Sequence, residues 1–168
     1  KGLTSSYFPL GVMAMRDKIA AHFKDNVFWG GLTYNAHPVG LATALAVIEV
    51  LEEEKLVENS ARMGELMRGH MEALKAKHRS VGAVRNIGLF GIVEIVKNAK
   101  GDRIAPYNGS HPAMGALSKF LLDNGLFTIF RWDNFMCNPP LTIDEKTLKE
   151  AFEIIDRGLE ITDAVFEG

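Results

Sequence analysis

The stretch from Val39 to Glu54 most limits how this chain can fold. Leu41, Ala42, Ala44, Leu45, Val47, Ile48, Val50 and Leu51 are apolar over most of a helical circumference. A helix predicted over 39–54 therefore has more than one face to cover, so it is expected to be buried against a neighbour, a subunit interface being one place to find such a neighbour. Pro38 suits the first helical turn. The small residues Gly40, Ala42, Thr43, Ala44 and Ala46 permit another backbone to approach closely.

Around that helix the pattern alternates between helix and strand. Leu10–Met15 reads as a short buried strand and Arg16–Lys24 as a short helix, with Asp25–Ala36 an aperiodic loop. A second long helix is predicted over Leu56–Lys77, where Met63, Met67 and Met71 recur at helical spacing as adaptable core filling. Val84–Val96 begins a sheet, with a bulge or bend at Gly88 and Gly91. Lys97–Gly109 reads as a hairpin-like excursion or a surface loop, and His111–Asn124 as a helix stopped by Gly125. Leu126–Phe130 is an expected strand ending at Arg131, and Phe135–Cys137 another. A last helix opens at Thr142–Glu145, capped by Thr142 or Asp144. The run Glu52-Glu53-Glu54-Lys55 marks a joint, giving one domain over residues 1–54 and a smaller α+β domain over 55–168.

Composition removes several function classes. The 168 residues carry a net charge of −2, which offers no basic field for nucleic acid or an anionic membrane. The weakly charged run 39–50 falls short of the ~20 residues a bilayer needs. One cysteine, Cys137, cannot form an internal disulfide, and no leader-like apolar core follows the start, so a cytoplasmic location is expected. The histidines have no metal-ligand spacing, and neither a Gly-x-Ser-x-Gly elbow nor a P-loop occurs.

Two stretches carry chemistry. Lys1-Gly2-Leu3-Thr4-Ser5-Ser6-Tyr7 sets an amine among glycine and hydroxyl groups, a setting for covalent work on an aldehyde. Read alone, Lys1 is most simply a solvated terminal residue. Gly30-Gly31-Leu32-Thr33-Tyr34-Asn35-Ala36-His37-Pro38 combines a hydroxyl with glycines that let backbone N–H groups approach a phosphate. Read alone, it is a connecting loop, with His37 a structural hydrogen-bonding group.

Together these stretches resemble the class III pyridoxal-phosphate (PLP) aminotransferases, the group of omega-amino-acid and taurine transaminases. The likeness continues through Val84-Arg85-Asn86-Ile87-Gly88-Leu89 and Asn138-Pro139-Pro140-Leu141, and departs at Ser6, where many members have glycine. The resemblance implies the aspartate-aminotransferase fold (fold type I), an α/β fold with the small α+β domain at its C-terminal end. It implies that Lys1 is the catalytic residue and forms the Schiff base with PLP. Thr33 would bind the cofactor phosphate of a partner subunit, in a homodimer. Arg131, shortly before the Pro-Pro segment, would bind a substrate carboxylate or sulfonate; otherwise it is a surface salt-bridge residue. Family members are much longer, so the chain is expected to be the C-terminal part of a longer protein. The phosphate loop, ring-stacking residue and pyridine-nitrogen partner would lie upstream, and this chain alone would be inactive.

The expected reaction moves an amino group from an omega-amino acid or related amine to a keto acid such as pyruvate. The alternatives are another PLP reaction on the same scaffold, such as an aminomutase or decarboxylase, and a non-catalytic dimerisation or ligand-binding fragment.

Overall fold

The computed structural model describes residues 2–168. They divide into two compact units, one ending at Leu56 and one running from Val57 to Gly168.

The first unit opens with a single tight turn of 3₁₀ helix, Gly2–Thr4. Thr4 is fully buried, and its hydroxyl donates to the Phe8 carbonyl at 2.5 Å. Helix α1 (Asp17–Ala20) continues into a second 3₁₀ turn, Ala21–Lys24. The strand expected over 10–15 does not form: those residues have no regular structure, and all but Leu10 are exposed. An apolar run becomes a strand only with a partner to pair with, and among the described residues it has none. Helix α2 (Pro38–Glu53) begins at the proline that its sequence marks. The neighbour expected for its apolar circumference is not among the described residues. Only Gly40 and Ala44 are buried, while Val39, Leu41 and Leu45 face solvent. The small residues admit a ring rather than a backbone: a Cβ on Gly40 would lie 2.8 Å from the edge of the Phe8 ring.

The second unit is a four-stranded antiparallel sheet with helices packed on one face. Helix α3 spans Leu56–Lys77. Strands β1 (Val81–Ile87) and β2 (Phe90–Ile95) form a hairpin that turns at Gly88 and Leu89, where the sequence suggested only a bend. Helix α4 (Pro112–Asp123) follows, then a two-residue edge strand β3 (Phe130–Arg131) and β4 (Asn134–Cys137). The strand order is β1-β2-β4-β3. Helix α5 (Glu145–Asp163) closes the unit; Asp144 caps it by accepting from the Thr147 N–H at 2.7 Å.

Alternation in the strands separates two faces. Val93, Ile95, Phe135 and Cys137 point into one core with Met63, Met67 and Met71 of α3, Leu117 and Leu121 of α4, and Phe152 and Leu159 of α5. The intervening residues Phe90, Ile92, Glu94, Asn134 and Met136 lie on the opposite face, which is open. Helix α3 meets the hairpin turn at a glycine pair: a Cβ on Gly64 would lie 2.5 Å from Gly88 Cα. Asn86 seals that contact by donating to the carbonyls of Gly64 and Gly88, both at 2.9 Å.

The end of α5 is pinned to the start of β1. His78 is 2% exposed and places Nδ1 2.7 Å from Asp163 and Nε2 3.0 Å from Asp156. Each ring nitrogen of His78 thus has a carboxylate partner of its own. Ser80 donates to Asp163 through its N–H at 2.9 Å and its hydroxyl at 2.6 Å. Among the described residues, no helix is long and apolar enough to cross a membrane, and no group of three or more His, Cys, Asp or Glu could hold a metal.

Candidate functional site

Lys1 lies outside the described residues. The turn that follows it has two consecutive residues in the left-handed region, Ser5 at φ 49° and Ser6 at φ 65°. This conformation costs a non-glycine residue about 1 kcal/mol. Ser6 is the position where the sequence departs from a family glycine, so the departure falls where glycine would fit best.

The second stretch folds as a chain of turns. The Asn35 N–H donates to Leu32 O at 3.1 Å, and the His37 N–H to Tyr34 O at 3.3 Å. Thr33 lies within the first turn and is exposed. Ala36 follows at φ 55°, a further left-handed residue. The His37 ring stands 5.1 Å from the Phe8 ring and 6.0 Å from Tyr34. Phe8 and His37 thus bring the ends of the two chemical stretches together. His37 was expected to be a structural hydrogen-bonding group, yet its buried Nδ1 has no hydrogen-bond partner.

Arg131 belongs to the second unit and is exposed on β3. It pairs directly with Asn134, and Asn134 pairs with Glu94, so all three lie on the open face of the sheet. Glu94 is already bonded to Arg85. Burial weighs slightly against the charged guanidinium of Arg85, but the hydrogen bond and attraction from Glu94 raise its pKa. Among the described residues Arg131 forms no salt bridge; its guanidinium only approaches the Phe130 carbonyl, at 3.5 Å. A free fork on an open face is available to a planar oxyanion.

Sequence reading missed the turn that carries Arg131. Trp132 and Asp133 alone join β3 to β4, and Trp132 has φ 49°. A positive φ at the first central residue of such a turn is the place of glycine. Holding tryptophan there costs about 1–3 kcal/mol. The Trp132 ring packs against Tyr107, centroid to centroid 4.3 Å at 50°, a contact worth about 0.5–1.5 kcal/mol. Asp133 is 4% exposed. Its carbonyl accepts from the Ile95 N–H at 2.7 Å, and its carboxylate lies 3.4 Å from Arg103 Nε. The available signal was a lone aromatic, Tyr107, in an excursion that is not purely polar, since its Ile104 and Ala105 are buried in the core. Cys137, beside the site in sequence, is buried, and burial pushes its thiol up to about 12, which makes it a poor nucleophile.

The sequence pattern of the class-III aminotransferases matches residues 1–159. The chain belongs to this family. Among its relatives, the putrescine–pyruvate aminotransferase of Pseudomonas aeruginosa is 34% identical over 167 residues, covering 98% of this chain and 36% of the relative. A (R)-1-hydroxy-2-aminoethylphosphonate ammonia-lyase of Vibrio splendidus is 27% identical over 159 residues, covering 95% of this chain and 32% of the relative. The taurine:2-oxoglutarate aminotransferase of Bifidobacterium kashiwanohense, solved with PLP and glutamate, superposes with a TM-score of 0.91 at 31% identity. That match covers 98% of this chain and 37% of the solved one. This class-III chain therefore has the fold of the PLP-dependent transferases of fold type I, and spans about a third of the length of such relatives.

The residues present fit part of a PLP site. The Thr33 hydroxyl is exposed in a tight turn beside Gly31, where even a Cβ would have no neighbour within 4 Å. A hydroxyl in an uncrowded turn is chemistry that a phosphate accepts.

Proposed function

We propose that this chain is part of a PLP-dependent transaminase that moves an amino group from an omega-amino acid or related amine to a keto acid such as pyruvate. The observation that carries the reading is Arg131, an exposed guanidinium on an open sheet face with no carboxylate bonded to it among the described residues, within a class-III chain. The cofactor, when bound, supplies the aldehyde that takes up an amino group and the electron sink for the carbon that loses it. Lys1 is the amine that holds the cofactor covalently, and its Nζ then acts as base toward the proton on the donor's amine-bearing carbon. The Thr33 hydroxyl donates to the phosphate of a partner subunit's cofactor, in a homodimer. The exposed apolar side of α2 supports such a subunit contact. Arg131 receives the acid group at the far end of the donor. A cytoplasmic location belongs to the same reading, resting on a lone, buried thiol.

The test is Lys1→Ala in the full-length protein. Turnover should disappear together with the visible absorption of bound cofactor; transamination at the wild-type rate overturns the reading. Thr33→Ala should retain PLP less tightly through repeated dialysis, and a fully active monomer would contradict the shared site. A second reading, a different PLP reaction on the same scaffold, is favoured by the ammonia-lyase relative. Product formation without any keto acid separates it from transamination.

A further inference from the structure

We propose that the Tyr107–Trp132 ring contact positions Arg131 and thereby sets the preference for donors with an acid group over simple amines. The proposal rests on the reading of Arg131 as the oxyanion receptor. Strand β3 has only two residues and one neighbouring strand, so little of its own pairing fixes Arg131. The backbone direction of Arg131 is set instead by the turn immediately after it. That turn runs through Trp132 in a conformation tryptophan rarely adopts. Such an outlier persists only where its surroundings hold it.

Two contacts hold it. On one side Asp133 is fixed by the Ile95 N–H, by Arg103 and by the Asn134 side chain, which donates to it at 3.2 Å. Asn134 is the residue directly opposite Arg131. On the other side the Trp132 ring, half-buried against the core of this unit, has its outer part covered by Tyr107. Tyr107 is 69% exposed and so contributes little to the core. Its observed partner is the ring beside the recognition arginine. Removing Tyr107 takes away the aromatic part of that hold, which loosens Trp132 toward ordinary negative φ and lets the last residue of β3 turn from its present direction.

The experiment compares full-length variants on acidic donors (4-aminobutyrate, 5-aminovalerate and taurine) and on butylamine, with pyruvate as acceptor. Tyr107→Ala should raise KM for the acidic donors about 3- to 10-fold, with kcat and the butylamine KM unchanged. Tyr107→Phe keeps the ring and should match the wild type. Arg131→Ala serves as the reference for loss of the receptor itself. If Arg131→Ala raises the acidic-donor KM and Tyr107→Ala does not, the positioning role is overturned while the receptor stands. If Arg131→Ala leaves that KM unchanged, the receptor reading fails and the proposal fails with it. A uniform loss on acids and butylamine alike in Tyr107→Ala, or a Tyr107→Phe variant as impaired as the alanine, also overturns it.

Discussion

The two units use apolar residues in opposite ways. From Val57 onward they meet in one core, where Met63, Val93, Leu117, Phe135 and Leu159 are fully buried. Ahead of Leu56 most of them stay outside: Trp29 is 93% exposed and Tyr34 78%. Both regions are rich in large side chains, so composition does not separate them. What separates them is a second layer. A sheet with helices on one face covers its own apolar side, whereas helix α2 and the turns before it have no such layer among the described residues. The second unit thus carries the features of an independently stable core, and the first holds the Thr33 stretch on a frame that it does not itself cover among the described residues.

The sharpest way to break that comparison is at His78. His78→Ala leaves two carboxylates without their shared partner and should cost about 3 kcal/mol, read as a lower denaturation midpoint of the whole chain. Little change would mean that the second unit is not locked where the structure locks it. The next effect compares one substitution in two helices. Gly64→Ala drives a Cβ into the Gly88 backbone, which cannot move aside, and should cost about 2 kcal/mol. Gly40→Ala meets only the edge of the Phe8 ring. That ring can shift, and alanine favours the helix by about 1 kcal/mol, so stability should stay near the wild type. Equal losses in both would erase the distinction between a packed unit and an open one.

Acid should act on the second unit through its aspartates. The Lys77 ammonium holds Asp156 below the ordinary carboxylate range against the cost of its burial, with His78 adding to the effect. Burial works against ionised Asp163, but the Ser80 hydroxyl and N–H, together with His78, outweigh it and lower that carboxyl too. A carboxyl whose pKa is depressed by folding stabilises above its unfolded value, about 4, and loses that contribution as pH falls through the folded value. Stability should therefore fall below about pH 4, and Asp163→Asn should flatten that part of the curve in a pH series of denaturant melts. The smallest effect belongs to the first unit. Ser6→Gly should stabilise its turn by about 1 kcal/mol or less, visible as slower proteolysis ahead of Phe8.

Much of this fold was legible because helices announce themselves locally. Helices α2, α3 and α4 begin and end within about a residue of where periodicity, Pro38 and Gly125 put them, and Asp144 caps α5 as one of two candidates. Strands were read less well, since pairing is not local. Leu10–Met15 has the composition of a strand and no partner, Leu126–Ile129 stays outside the ladder, and Gly88 makes a full reversal rather than a bend. Of the candidate site, Thr33 and Arg131 were named from short motifs. Trp132 was not, because nothing in its side chain advertises a backbone angle normally given to glycine. His78 was passed over for the same kind of reason: its acceptors stand 78 and 85 residues further along the chain.

The clasp around His78 also decides where the polypeptide tolerates being cut or joined. Thr162 and Asp163 both meet the Ser80 hydroxyl at the last turn of α5, Asp163 as its acceptor, and the Glu167 N–H still reaches back to the Lys97 carbonyl at 2.7 Å. Nested deletions from the tail should therefore show a step rather than a slope: removing Gly168 costs nothing visible, while removing Asp163 releases the seam between the first strand and the final helix in one event. A fusion partner attached after Gly168 leaves that seam whole; one inserted a few residues earlier opens it.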